Sequence, residues 1–162
     1  MSDNKATGTA SAQIAVPHTS AAAPQYKYDV EIRQIVGCPF HATACFTEAS
    51  YRAVQSDIRH PSNFLPAGRL EPEKYANSAL GHKCMSWALS LYESPDQLRA
   101  MIRRAEQVAP LFRLRVGDHY ARLQLTATDG KRTAVSRSGH FSFYEFASFD
   151  PHGAVKEHLP LF

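Results

Sequence analysis

What this chain has little of already narrows its class. No stretch approaches the roughly 18 consecutive apolar residues of a membrane-crossing helix, so no membrane span is expected. Cysteine is scarce. Cys38, Cys45 and Cys84 make an odd set of 3 in 162 residues. That does not read as a disulfide framework, and reduced thiols in a cytoplasmic protein are the simpler account. The N-terminus lacks an apolar h-region, so no secretory signal is expected. Charge of one sign is not in excess either. A net charge of +3 permits an acidic partner without demanding one. There is no internal repeat, no pair of Cys-x-x-Cys motifs and no Gly-x-Ser-x-Gly.

What is present is the composition of one globular domain, with 44% apolar and 20% charged residues. A chain of 162 residues is enough for one domain and too short for two ordinary ones. A domain of that size can bury a core without help from disulfides or a metal. Residues 1–24 are small, polar and aperiodic, and cannot offset the entropy of ordering; they read as a disordered tail. Residues 25–162 read as the single domain.

Alternation marks several strands. Tyr26, Tyr28, Val30 and Ile32 alternate with charged residues and suggest a half-buried strand. Phe46–Val54 is helix or strand, with Ser50–Val54 leaning to strand. Ser86–Tyr92 alternates, with Trp87, Leu89 and Leu91 on one face and Ser86, Ala88, Ser90 and Tyr92 on the other. Tyr120–Thr126 is a strand, and Asp129–Gly130 a turn. His140–Phe146 is a further strand, its Phe141, Phe143 and Glu145 opposed to His140, Ser142, Tyr144 and Phe146. Residues 55–82, rich in proline and poor in periodicity, read as a long ordered loop of the kind that often carries function. The segment from His152 reads as a short packed tail.

The strongest local signal is a helix over about 94–109. Ser94 is its N-cap, Pro95 its first residue and Gln97 the capping-box partner. Leu98, Met101, Ile102, Ala105 and Val108 recur at helical spacing. Leu111–Val116 stays open between a hairpin strand and a short helix closed by Gly117. The sum is an α+β domain: a twisted, mostly antiparallel sheet of five to six strands with one main helix packed on it.

Four groups could carry chemistry. Arg52, Ser86, Ser90 and Glu145 come from three strands and could face a shared cleft. Glu145 shares its face with two phenylalanines, which would desolvate the carboxyl and raise its pKa. The arginine fork suits a diphosphate. Cys38-x-x-His41-x-x-x-Cys45 with His82-x-Cys84 is loosely compatible with zinc, but free cysteine is among the most buried residue types. The thiols are read as core residues, and no zinc is expected. Arg59-His60-Pro61-Ser62-Asn63 with Arg69 could hold an anion, or simply place polar residues at turns, which is preferred. Arg99, Arg103 and Arg104 form a basic helix face that could meet a protein or nucleic acid. A Ser/His/Asp triad from Ser136 or Ser138, His140 and Asp118 or Asp129 exists on paper, but without a nucleophile elbow that kind of hydrolase is not expected.

An Arg strand, a Ser-x-x-x-Ser strand running into a helix and a late Glu strand together resemble ADP-ribosyltransferase-like folds. Ser86-Trp87-Ala88 stands where that family carries Ser-Thr-Ser. The resemblance implies NAD as cofactor. Arg52 would anchor the dinucleotide, Ser86, Ser90, Tyr92 and His140 would frame it, and Glu145 would stabilise a ribosyl cation. The chain also resembles small bacterial proteins with a late Gly-His-Phe strand, which bring no activity with them. With that resemblance, the expectation is a small nucleotide- or ligand-binding domain of ADP-ribosyltransferase-like type that could also be such an enzyme. The alternative is a non-enzymatic interaction protein that uses its arginine-rich helix and its tail.

Overall fold

The computed structural model describes residues 23–45 and 48–162. Of the expected tail, residues 1–24, residues 1–22 lie outside the described residues, as do Phe46 and Thr47. Seven strands form one sheet in the order β1-β5-β6-β3-β2-β4-β7, and every described pair in it is antiparallel. They are β1 (Thr43–Ala44), β2 (Glu48–Val54), β3 (Leu89–Tyr92), β4 (His119–Leu125), β5 (Gly130–Arg132), β6 (His140–Glu145) and β7 (Val155–Pro160). The helices are α1 (Asp29–Arg33), α2 (Ala67–Leu70), α3 (Pro72–Ala76), α4 (Leu80–Met85), α5 (Pro95–Glu106), α6 (Phe112–Val116) and α7 (Pro151–Ala154). This is the expected α+β class, with one strand more than expected and several short helices beside the main one. Among the described residues no helix is long and apolar enough to cross a membrane.

The period-two side-chain alternation of the strands sorts the core onto two faces. On one face Leu89, Leu91, Leu123, Leu125, Phe141 and Phe143 pack together, covered by Phe64 and Phe149. The other face carries two separate clusters. Tyr92, Leu98, Ile102 and Leu161 lie under α5, while Ile32, Ile35, Cys84, Ala88 and Tyr144 lie under α1 and α4. The sheet is strongly curved. Arg132 of β5 pairs with Glu48 of β2 at 2.8 Å although two strands separate them in the sheet order.

Helix α5 forms as its sequence demands. The Ser94 hydroxyl accepts from the Gln97 N–H at 3.2 Å, Pro95 occupies the first turn, and Leu98 and Ile102 are its buried stripe. The reciprocal half of the capping box differs, since Gln97 Oε1 takes the Ser94 hydroxyl rather than its backbone N–H. Leu111–Val116 resolves as a helix. Gly117 closes it with φ +99°, and a Cβ there would lie 1.9 Å from Val54 O, so only glycine fits. Arg113 and Arg115 then part company, pairing with Glu106 and Glu71 at 2.6 Å each.

Five local expectations need correction. Tyr26 makes only an isolated bridge to Phe146, and Asp29–Arg33 is helical. Tyr28, Ile32 and Ile35 also fit the i, i+4, i+7 spacing of a helix, and Val30 is left 68% exposed. The strand at Ser86 starts only at Leu89; Ser86 caps α4, and Trp87 packs on Tyr28 with ring centroids 5.9 Å apart. Residues 55–82 hold α2, α3 and part of α4 rather than plain loop, and the C-terminal segment forms α7 and the edge strand β7. Finally, two of the thiols are not reduced. Cys38 and Cys84 form a disulfide, their Cα atoms 5.7 Å apart, while Cys45 is free and buried. The two half-cystines are 46 residues apart and meet only because α1 and α4 share a core cluster, so spacing alone carried no signal.

A bond closing a loop of that length removes entropy from the unfolded chain. Cys38→Ser should therefore cost about 2–4 kcal/mol of unfolding free energy in urea titrations. Wild type under reducing conditions should match the variant; equal stability of the variant and the oxidised protein would contradict the bond.

Candidate ligand-binding site

The two core clusters on the second face do not meet. Between Tyr144 on one side and Tyr92 on the other, the floor-facing positions are Ala88 just before β3, Ser90 of β3 and Ser142 of β6. These side chains are too small to fill the space under the helices. The result is a cavity of about 630 Å³, within the usual size of small-molecule sites. One wall comes from α2, α3 and α4, with Ala67, Leu70, Tyr75 and Met85; the other comes from α5 and α6, with Leu98, Met101, Phe112 and Val116. Arg115 and Glu71 both line the cavity, and their ion pair joins the two walls.

The polar part of the site is set by strand register. Tyr92 lies opposite His140, and Ser90 opposite Ser142. His140 is therefore the diagonal neighbour of Ser90, within reach of a long side chain. Its Nε2 lies 2.8 Å from Ser90 Oγ, and its ring packs on Tyr92 with centroids 5.2 Å apart. Burial lowers the pKa of His140, so its neutral form is favoured. Burial likewise raises that of Tyr92.

Arg52 enters from a break in the sheet. Strands β2 and β3 pair only at Tyr51↔Tyr92, and the guanidinium fills the opening where they part. Its Nε donates to Asn63 O at 2.5 Å, Nη1 to Ser90 O at 3.1 Å and Nη2 to Leu65 O at 2.9 Å. Of the five N–H bonds of the group, two have no acceptor among the described residues, and the side chain lines the cavity. Burial pushes the Arg52 pKa down to about 10, partly offset by Glu145 and Tyr28.

Glu145 is placed differently from the other sequence candidates. It follows Phe141 and Phe143 on the far face of β6 and does not line the cavity. It is only 2% exposed. Lys27 Nζ forms an ion pair with Oε1 at 2.8 Å, and Oε2 has no hydrogen-bond partner among the described residues. Burial raises the carboxyl pKa, while Lys27 and Arg52 pull it down. The structure thus gathers Arg52, Ser86, Ser90, Tyr92 and His140 around one cavity and leaves Glu145 behind its floor.

The remaining candidates have structural partners. Asn63 is buried and organises the turn after β2, accepting from Gln55 N–H at 2.8 Å and donating to Asp57 O and Ile58 O. The Ser136 and Ser138 hydroxyls bond to one another at 2.9 Å, Asp118 pairs with His119 at 2.6 Å, and Asp129 caps the Thr126 turn. Arg99 is held by Asp96 and by Leu161 O, whereas Arg103 and Arg104 are exposed. No group of three or more metal-ligating side chains forms among the described residues. The residues that sequence reasoning missed are the apolar walls, Met85, Met101 and Phe112 above all. They come from segments distant in the chain, so no local signal marked them. No family model, curated protein or solved structure matches the chain.

Two outcomes test this geometry. Arg52→Met strands three main-chain carbonyls and should cost at least about 3 kcal/mol in urea unfolding; a loss under about 1 kcal/mol would remove Arg52 as the tie between the strands. Because the folded state holds the Glu145 proton to higher pH than the unfolded chain does, stability falls as pH climbs from the ordinary carboxylate range through the raised value. Glu145→Gln cannot titrate. Its stability relative to wild type should rise across that window and stay level below it, and parallel pH curves would refute the buried carboxylate.

Proposed function

We propose that this domain binds a small organic anion with an apolar body in the cavity between α2–α4 and α5–α6. The observation that carries the reading is Arg52. Its charge is half-buried at the edge of an apolar cavity and hydrogen-bonded only to neutral carbonyls. A cation held that way gains from an incoming carboxylate or phosphate, which supplies the counter-charge and takes the uncommitted N–H bonds. Glu71 does not compete for that role, being paired with Lys74 at 3.0 Å and with Arg115 at 2.6 Å. Leu98, Met101 and Phe112 would take the ligand's apolar body.

A nucleotide belongs to the same chemical class, and NAD is the member that the transferase-like resemblance implies. Catalysis of that kind would require Glu145 to reach the ribose from behind the cavity floor. Simple binding makes no such demand, which is why binding is the reading preferred here.

Thermal-shift titrations distinguish these cases, because a ligand that binds only the native state raises its apparent stability, by about 2.7 kcal/mol at a hundredfold excess over Kd. Octanoate and an aromatic carboxylate should stabilise the protein saturably, and their neutral amides far less. Equal shifts for acid and amide would refute the role of Arg52. Stabilisation by NAD alone would move the reading to the transferase-like one, and no shift with any ligand would overturn binding altogether.

A further inference from the structure

We infer that Ser90 is a nucleophile with His140 as its general base, and that the cavity hydrolyses small carboxylic esters. The inference rests on the proposed binding site and extends it, since the anion bound there becomes the product acid.

Four features support it. First, Ser90 Oγ and His140 Nε2 are 2.8 Å apart, within the reach that activates a serine. Second, the hydroxyl is open to an incoming substrate. Ser90 is exposed on the cavity floor, whereas its cross-strand partner Ser142 is only 3% exposed. Third, the imidazole is oriented without a carboxylate: the Tyr92 ring packs on it, and strand register fixes its backbone. Burial favours the neutral ring, which with its proton on Nδ1 presents a lone pair at Nε2. Fourth, the Arg52 guanidinium is anchored to the carbonyl of Ser90 itself at 3.1 Å. Arg52 also lines the cavity, and its uncommitted N–H bonds are the donors assigned to the oxyanion. The serine sits on a strand, not on a strand-to-helix elbow, so no sequence motif announces it.

The chemistry balances with water as the only co-reactant. The Ser90 oxygen forms a bond to the ester carbonyl carbon while its proton passes to His140 Nε2. Collapse of the tetrahedral adduct breaks the carbon–oxygen bond to the alcohol, which leaves with that proton. Water then gives a proton to Nε2 and its oxygen to the acyl carbon. The Ser90–acyl bond breaks, Ser90 regains its proton from Nε2, and the carboxylic acid is released next to Arg52.

The test uses the full chain, with p-nitrophenyl butyrate as substrate and a fluorophosphonate as an active-site probe. Wild type should turn over the ester and gain one phosphonyl group, mapped to Ser90 by peptide mass. Ser90→Ala should lose both signals, and His140→Gln should lower turnover by about 100-fold or more, with thermal melts confirming that both variants are folded. Turnover or labelling that survives in Ser90→Ala would overturn the inference by placing the nucleophile elsewhere. A wild type that octanoate stabilises, yet that neither turns over the ester nor takes the probe, would overturn the nucleophile and leave the binding site standing. A wild type without ligand stabilisation, turnover or adduct would overturn both.

Discussion

Much of this structure depends on one side chain that bridges a gap in its sheet. Strands β2 and β3 touch at a single residue pair, and a sheet left open at its centre would expose unpaired main-chain groups to a nearly dry interior. The Arg52 guanidinium meets that constraint by donating to three carbonyls, one on β3 and two on the chain that follows β2. An arginine can do this because its planar fork offers several donors in fixed directions. A lysine ammonium could not span the same three acceptors. The cost is a half-buried positive charge, and that cost gives the cavity its chemical character. One residue therefore both closes the sheet and, on the proposed reading, sets which ligand the adjoining space favours.

The cavity itself is encoded by size. Large side chains at both ends of the floor, Tyr144 and Tyr92, prop the helices at a distance that Ala88, Ser90 and Ser142 cannot fill. Packing normally removes such voids at a gain in stability, so a void this large is retained against that gain. The small floor residues are also the hydroxyl-bearing ones, which puts polar groups at the base of an otherwise greasy space.

The parts of this arrangement that were legible in the sequence are those fixed by local rules. The alternation at Leu89–Tyr92 and His140–Glu145 sorted each side chain onto its face, and Ser94-Pro95 announced α5. That sorting also grouped Ser90 and Tyr92 on one strand, and His140 and Ser142 on the other. What it could not supply was register, so nothing in the chain said that His140 would lie diagonal to Ser90. Topology hid the rest. Cys38 meets Cys84 because two helices converge, not because of their spacing. Tyr26–Arg33 obeyed two periodicities at once, and the helical one prevailed because it buries Ile32 and Ile35 together. Glu145 was rightly placed among phenylalanines, but that same face turns it away from the cavity.

The two walls of the cavity are held unequally. The α4 wall is tied covalently to the turn after α1, whereas the α6 wall is joined to the opposite side by the Arg115–Glu71 pair. With Arg115 half exposed, such a pair is worth no more than about 1 kcal/mol and weakens as salt screens it. The entrance thus has a fixed jamb and a light latch. Raising ionic strength would loosen the α6 side, and with it the exchange of the proposed ligand, while the floor and the far wall keep their shape.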